Sequence, residues 1–354
     1  MFKVKNLNDL FFNACLIFCA QFVLCAFASC RSRPVQTPVL HEIETYASVE
    51  TPPFSGVLPQ SDFDEVWGYV VAGNEKSLKQ GLPLSDVVYF GAAVDRYGDV
   101  ADAPQIKNLP KFSGRVHMSI ICESAGLTHF ILEPESRARE RFINELLKAA
   151  EPFYGLNIDM ESVPVKDADN FLSFLKEIRK RLGGRMLSVC VPARTSANQT
   201  YNYEKISAVS DRVFVMAYDE HWSGSRPGPV ASMNWCKSVA EYSLKTIGPK
   251  KLIMGLPFYG RSWGDKAVSR ALVHSTVENI HKENGSPEIE RENGVPKFKY
   301  NVVVNVTVYF EDAYSIGTRM DMYQKAGVKY VGFWRLGQET NDVWKTVNLR
   351  TAKN

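Results

Sequence analysis

Eight short apolar runs rich in β-branched and aromatic residues recur along this chain, at 66–71, 87–92, 116–122, 155–161, 187–191, 213–218, 252–256 and 330–334. Between them lie helical patterns, clearest at 135–150 and 168–182. Strands buried on both faces and separated by helices build parallel sheets, and eight of them close into an α/β (β/α)8 TIM barrel. The long interruption at 262–305 carries Asn284-Gly285 and Asn293-Gly294 turn signals, so a small insertion is expected between the seventh and eighth strands.

The fourth run ends in Tyr154-Gly155-Leu156-Asn157-Ile158-Asp159-Met160-Glu161. In a strand, Asn157, Asp159 and Glu161 share one face while Leu156, Ile158 and Met160 take the other. Two adjacent carboxyl groups cannot both ionise cheaply. One is expected to keep a proton near neutral pH, as a general acid must.

This segment resembles the fourth-strand signature D-G-x-D-x-D-x-E of glycoside hydrolase family 18, a chitinase-like family. Four more segments match in order: Trp67-Gly68-Tyr69, Phe214-Val215-Met216-Ala217-Tyr218-Asp219, Gly255-Leu256-Pro257-Phe258-Tyr259-Gly260-Arg261 and Gly332-Phe333-Trp334-Arg335-Leu336-Gly337. Asp219-Glu220-His221-Trp222 after the sixth strand is most similar to the bacterial spore-cortex-lytic and spore-germination branch.

The resemblance implies substrate-assisted hydrolysis with net retention, in which the substrate's acetamide is the nucleophile. Glu161 would protonate the leaving oxygen and then activate water. Asp159 would orient the acetamide, Tyr218 would hydrogen-bond its oxygen, and Trp334 would stack beneath the sugar. Asn157, Asp219, Tyr69, Trp222, Arg194 and Tyr259 complete the expected substrate-binding set. Arg194 has a plainer alternative, as an ion-pair partner of Glu161. His117 and His129 read as structural histidines. No cofactor is implied, and Trp67-Gly68-Tyr69-Val70 stands where a metal-dependent barrel hydrolase would place His-x-His.

Two departures from the family stand out: Tyr154 replaces the first Asp of the signature and Asn157 the second. The third strand carries Ser119-Ile120-Ile121-Cys122 in place of S-x-G-G. The implied substrate is a β-linked N-acetylglucosamine polymer, peptidoglycan ahead of chitin. The alternative is a family member that binds glycans as a lectin without turning them over.

The first 30 residues read as an export signal. Lys3 and Lys5 precede an apolar run ending in Phe27-Ala28-Ser29-Cys30, a loose lipoprotein box with Cys30 as the lipidated residue. The run is also long enough for a retained signal anchor. Residues 31–61, rich in Pro, Thr, Ser and Glu, are expected to be a tether, with 62–349 as the barrel. Beyond position 30 only Cys122, Cys190 and Cys236 remain of 7 cysteines, which argues against a disulfide framework. A net charge of +3 without a basic run excludes a nucleic-acid surface. The expected state is a monomer, exported and lipid-anchored to a bacterial envelope.

Overall fold

The computed structural model describes residues 56–350 except 266 and 302–304. The signal, Cys30 and most of the expected tether lie outside the described residues.

Eight strands form the barrel: β1 Glu65–Val71, β2 Asp86–Val94, β3 Arg115–Cys122, β4 Gly155–Met160, β5 Met186–Pro192, β6 Arg212–Met216, β7 Leu252–Pro257 and β8 Tyr330–Trp334. Each pairs in parallel with the next, and β8 pairs with β1, so the sheet closes on itself. All eight coincide with the apolar runs. Two end earlier than expected, β4 one residue before Glu161 and β6 two before Tyr218. Tyr218 and Asp219 thus sit on a turn beyond the strand, with Asp219 at φ 57°.

The helices are α1 Ala125–Leu132, α2 Arg137–Ala149, α3 Ala168–Arg181, α4 Tyr203–Val209, α5 Met233–Thr246, α6 His274–Glu283 and α7 Ala313–Lys325. In α2, Ser136 accepts a hydrogen bond from Ala138 N at the start, and Phe142, Ile143 and Leu146 form the buried stripe. The first two crossovers differ from expectation, having only single 3-10 turns at Glu75–Ser77 and Ile106–Asn108. Gly81 and Pro83 in one, and Pro104, Pro110 and Gly114 in the other, deny either segment a helix-length run.

The insertion is larger than the 262–305 expected. Five antiparallel strands run from Gly260–Gly264 to Asn305–Tyr309, with α6 among them. Asn293 and Gly294, both at positive φ, turn the hairpin that joins Glu290–Glu292 to Val295–Asn301. The carbonyl of Asn293 accepts from Met233 N (3.2 Å), fastening this wall to the start of α5.

The barrel interior is filled. Trp67, Tyr69, Val88, Cys190, Phe214 and Ile253 form a core of their own, separate from the layer beneath the helices. Phe214 reaches across because its neighbours are glycines: a β-carbon at Gly332 would lie 2.4 Å from its ring, and one at Gly255 2.7 Å. At the amino ends of the strands an ionic network seals the floor. Arg115 and Arg212 pair with Glu65, and Arg115 and His117 with Asp86, at 2.6–2.7 Å. His117 is therefore structural, and His129, on Asp167 at 2.9 Å, is paired in the same way.

The boundary expected at 61/62 falls inside packed structure. Ser61–Phe63 pairs in parallel with Val347–Leu349, Phe63 is fully buried, and Leu58 packs against the core. Burying Phe63 draws the end of the Pro- and Thr-rich segment onto the domain.

Candidate active site

Side-chain parity along β4 carries Asn157, Asp159 and Glu161 up the inner face, from the middle of the barrel to its mouth. Asn157 lies deepest and is wholly buried. Its Oδ1 accepts from Ser119 Oγ (2.9 Å), Tyr69 Oη (3.3 Å) and Cys190 Sγ (3.4 Å), and its Nδ2 donates to Ser188 Oγ (2.9 Å). Asn157 is uncharged and still satisfies four neighbours, so the departure from Asp leaves a bonded hub without a buried charge.

Asp159 stands one step higher, 3% exposed, and its Oδ1 has no hydrogen-bond partner. Burial, reinforced by the charge of Glu161, pushes its carboxyl up to about 8. Glu161 projects from the rim. Burial of its base raises its pKa above the ordinary glutamate value, and the charges of Glu123 and Asp219 act in the same direction. The spacing implied repulsion between the two carboxyls as the cause; burial is the larger one, and the charges that act on Glu161 are those of Glu123 and Asp219. Tyr201 fixes where the strand ends, donating from its hydroxyl to Met160 O (2.6 Å) and accepting from Val163 N (3.3 Å).

Tyr218 packs edge-on to Tyr259 (6.3 Å) and leaves its hydroxyl without a protein hydrogen bond among the described residues. Trp334 presents a half-buried ring held edge-on by Phe90 (4.9 Å) and Tyr69 (5.4 Å). Asp219 Oδ1 accepts from Tyr259 Oη (2.6 Å) and Arg261 (3.1 Å). Trp222 is exposed on the loop after β6. Arg194 follows β5, and no ion pair joins it to Glu161 among the described residues; its Nε is buried without a partner.

Asn157, Tyr69 and Tyr259 are buried, and each commits its polar group to another side chain. All three touch other members of the expected set: Tyr69 bonds Asn157 and packs edge-on to Trp334, and Tyr259 donates to Asp219. Sequence reasoning overlooked Glu123, Cys190 and Tyr201. A signal for Glu123 existed, since Ser119, Ile121 and Glu123 alternate onto the inner face of β3 as Asn157, Asp159 and Glu161 do on β4.

A proton-bearing carboxyl pair at the carboxyl ends of a closed barrel is where this fold places catalysis. The glycosyl hydrolases family 18 model matches residues 66–339. The chain belongs to glycosyl hydrolase family 18. Among curated relatives, the Bacillus subtilis (strain 168) protein named "Uncharacterized glycosylase YvbX" is 31% identical over 229 residues, covering 60% of this chain and 67% of that protein. The cortical fragment-lytic enzyme of Bacillus anthracis is 26% identical over 289 residues, covering 74% of this chain and 67% of the enzyme. The crystal structure of the Bacillus cereus spore cortex-lytic enzyme SleL superposes with a TM-score of 0.72 at 23% identity, covering 81% of this chain and 74% of that one, and supports the barrel fold. As a family 18 member the protein is a glycosidase, and its relatives include cortex-lytic enzymes.

Proposed function

We propose that this glycosidase hydrolyses β-linked N-acetylglucosamine polymers, peptidoglycan ahead of chitin, by substrate-assisted retaining catalysis. The observation that carries the reading is the pairing of a buried, proton-holding Asp159, whose Oδ1 is unpartnered, with Glu161 at the rim. Oδ1 is an acceptor awaiting a donor, and the N–H of a substrate acetamide is such a donor. The proton held by the pair passes through Glu161 to the leaving oxygen as the acetamide oxygen closes on the anomeric carbon and the glycosidic bond breaks. Tyr218 donates to that acetamide oxygen from its unbonded hydroxyl, and Glu161 then takes a proton from the water that attacks the anomeric carbon and reopens the acetamide ring. Both carboxyls approach from one strand face, whereas a conventional retaining pair stands across the bond, about 5 Å apart. The preference for peptidoglycan draws on the names of the cortex-lytic relatives.

The test compares turnover of a chromogenic chitobioside with digestion of purified peptidoglycan. Release of reducing sugar from peptidoglycan at the higher kcat/KM is expected. Faster turnover of the chitobioside would reverse the substrate order. Binding of N-acetylglucosamine oligomers with no turnover of either substrate would establish the lectin reading.

We further propose that the chain is exported and held to a bacterial envelope by lipid on Cys30, on the strength of the Phe27-Ala28-Ser29-Cys30 box. Release by detergent but not by salt is expected, and Cys30→Ala should accumulate uncleaved precursor. A mature N-terminus mapped away from Cys30 would refute lipidation there.

A further inference from the structure

Glu123 has no part in the chemistry above, yet it stands beside the proton donor. Ile121 and Cys122 of β3 pair with Asp159 and Met160 of β4, and Glu161 N donates to Cys122 O (3.0 Å). Glu123 and Glu161 follow directly after this last pair, close enough for the charge of Glu123 to act on Glu161. Glu123 is exposed and has neither a hydrogen bond nor an ion pair among the described residues. Of the four mouth carboxylates, Glu123, Asp159, Glu161 and Asp219, only Asp219 has an ion-pair partner there, Arg261.

Like charges held close together are unfavourable, and among the described residues no ion pair relieves Glu123 or Glu161. A second observation bears on a ligand: Asp159, more than nine-tenths buried on the same strand face as Glu161, has Oδ1 unpartnered among the described residues. A mouth with an unpaired Glu123 at its rim and one acceptor still open is suited to a glycan that brings both an amide N–H and a cation.

We infer that Glu123 is a specificity-determining residue that selects glycan strands carrying a primary ammonium group, a de-N-acetylated glucosamine, on the sugar next to the acetamide-bearing one that is cleaved. The inference rests on the glycosidase reading and refines its substrate class to partly de-N-acetylated polymer. The acetamide is still needed at Asp159 and Tyr218, while the neighbouring ammonium sits on Glu123 and offsets its repulsion of Glu161.

The experiment uses defined chito-oligosaccharides at pH 6, either fully N-acetylated or with one free amine beside an acetylated unit. Its readout is the ratio of their kcat/KM values, amine-bearing over acetylated, in which any change in the active fraction cancels. The wild type should favour the amine-bearing oligomer about tenfold at low salt, and the preference should shrink at high salt. Glu123→Gln should lower the ratio about tenfold, and Glu123→Lys further. An unchanged ratio in Glu123→Gln would overturn the inference. If neither oligomer is cleaved, the glycosidase reading fails on its own, and titration of the same oligomers followed by tryptophan fluorescence decides about Glu123. A binding preference for the amine that is lost in Glu123→Gln would uphold the inference, and equal affinities would end it.

Discussion

Glu161→Gln is expected to lower kcat on peptidoglycan fragments by at least about a hundredfold, the lower end of what a positioned general acid contributes. Glu161 stands exposed at the rim and shares the strand face of Asp159, with Glu123 exposed beside it. Asp159 lies a step deeper, and Asp219 is engaged by Tyr259 and Arg261. The substitution keeps the shape and removes the transferable proton. Since the side chain is exposed and has no hydrogen bond or ion pair among the described residues, folding should be nearly unaffected, and affinity for N-acetylglucosamine oligomers should survive. A hundredfold loss corresponds to about 2.7 kcal/mol of transition-state stabilisation. Turnover within a few-fold of wild type would assign the acid elsewhere, with Glu123 the next group to examine.

The second large effect concerns stability. With its carboxyl pushed from an ordinary 3.8 up to about 8, folded Asp159 holds a proton that the unfolded chain releases above about pH 4. For an acid with a raised folded pKa the sign is unfavourable: its penalty is absent below the unfolded pKa, grows with pH and is complete above about 8. At roughly 1.4 kcal/mol for each pKa unit, the full penalty is on the order of several kcal/mol. Asp159→Asn removes it. The variant should melt close to wild type at pH 4, increasingly above it from pH 5 to 9, and turn over substrate far more slowly throughout. A Tm difference that does not change with pH would show that Asp159 carries no such proton. This is the stability cost expected of an active-site acid held in an apolar setting.

The barrel was legible because two independent periods agreed along the whole chain. Apolar runs such as 87–92 and 252–256 admit little but buried strands, and the stripe Phe142, Ile143 and Leu146 admits little but a helix. The faces of β4 were legible too, because alternation is geometric. Depth was not. Parity puts Asn157 and Glu161 on one face without saying that the first is wholly buried and the second meets solvent. The same ambiguity hides that the hydroxyls of Tyr69 and Tyr259 close on Asn157 and Asp219. Tyr201 was out of reach because its role depends on a contact with Met160, 41 residues away. Cys190 was weighed only as a disulfide candidate, while its surroundings make it a buried thiol bonded to Tyr69 and Asn157.

The sealed floor has a consequence for the order of events. Trp67, Tyr69 and Phe214 fill the barrel above a lattice of Glu65, Asp86, Arg115, His117 and Arg212, and among the described residues these close its amino end. Whatever leaves after bond cleavage must depart through the opening by which the next reactant arrives, on the side served by Glu161. Water cannot enter from behind while the departing sugar is still in place. Product exit and solvent entry become successive occupations of one doorway, and a second sugar waiting there competes with water for the same position.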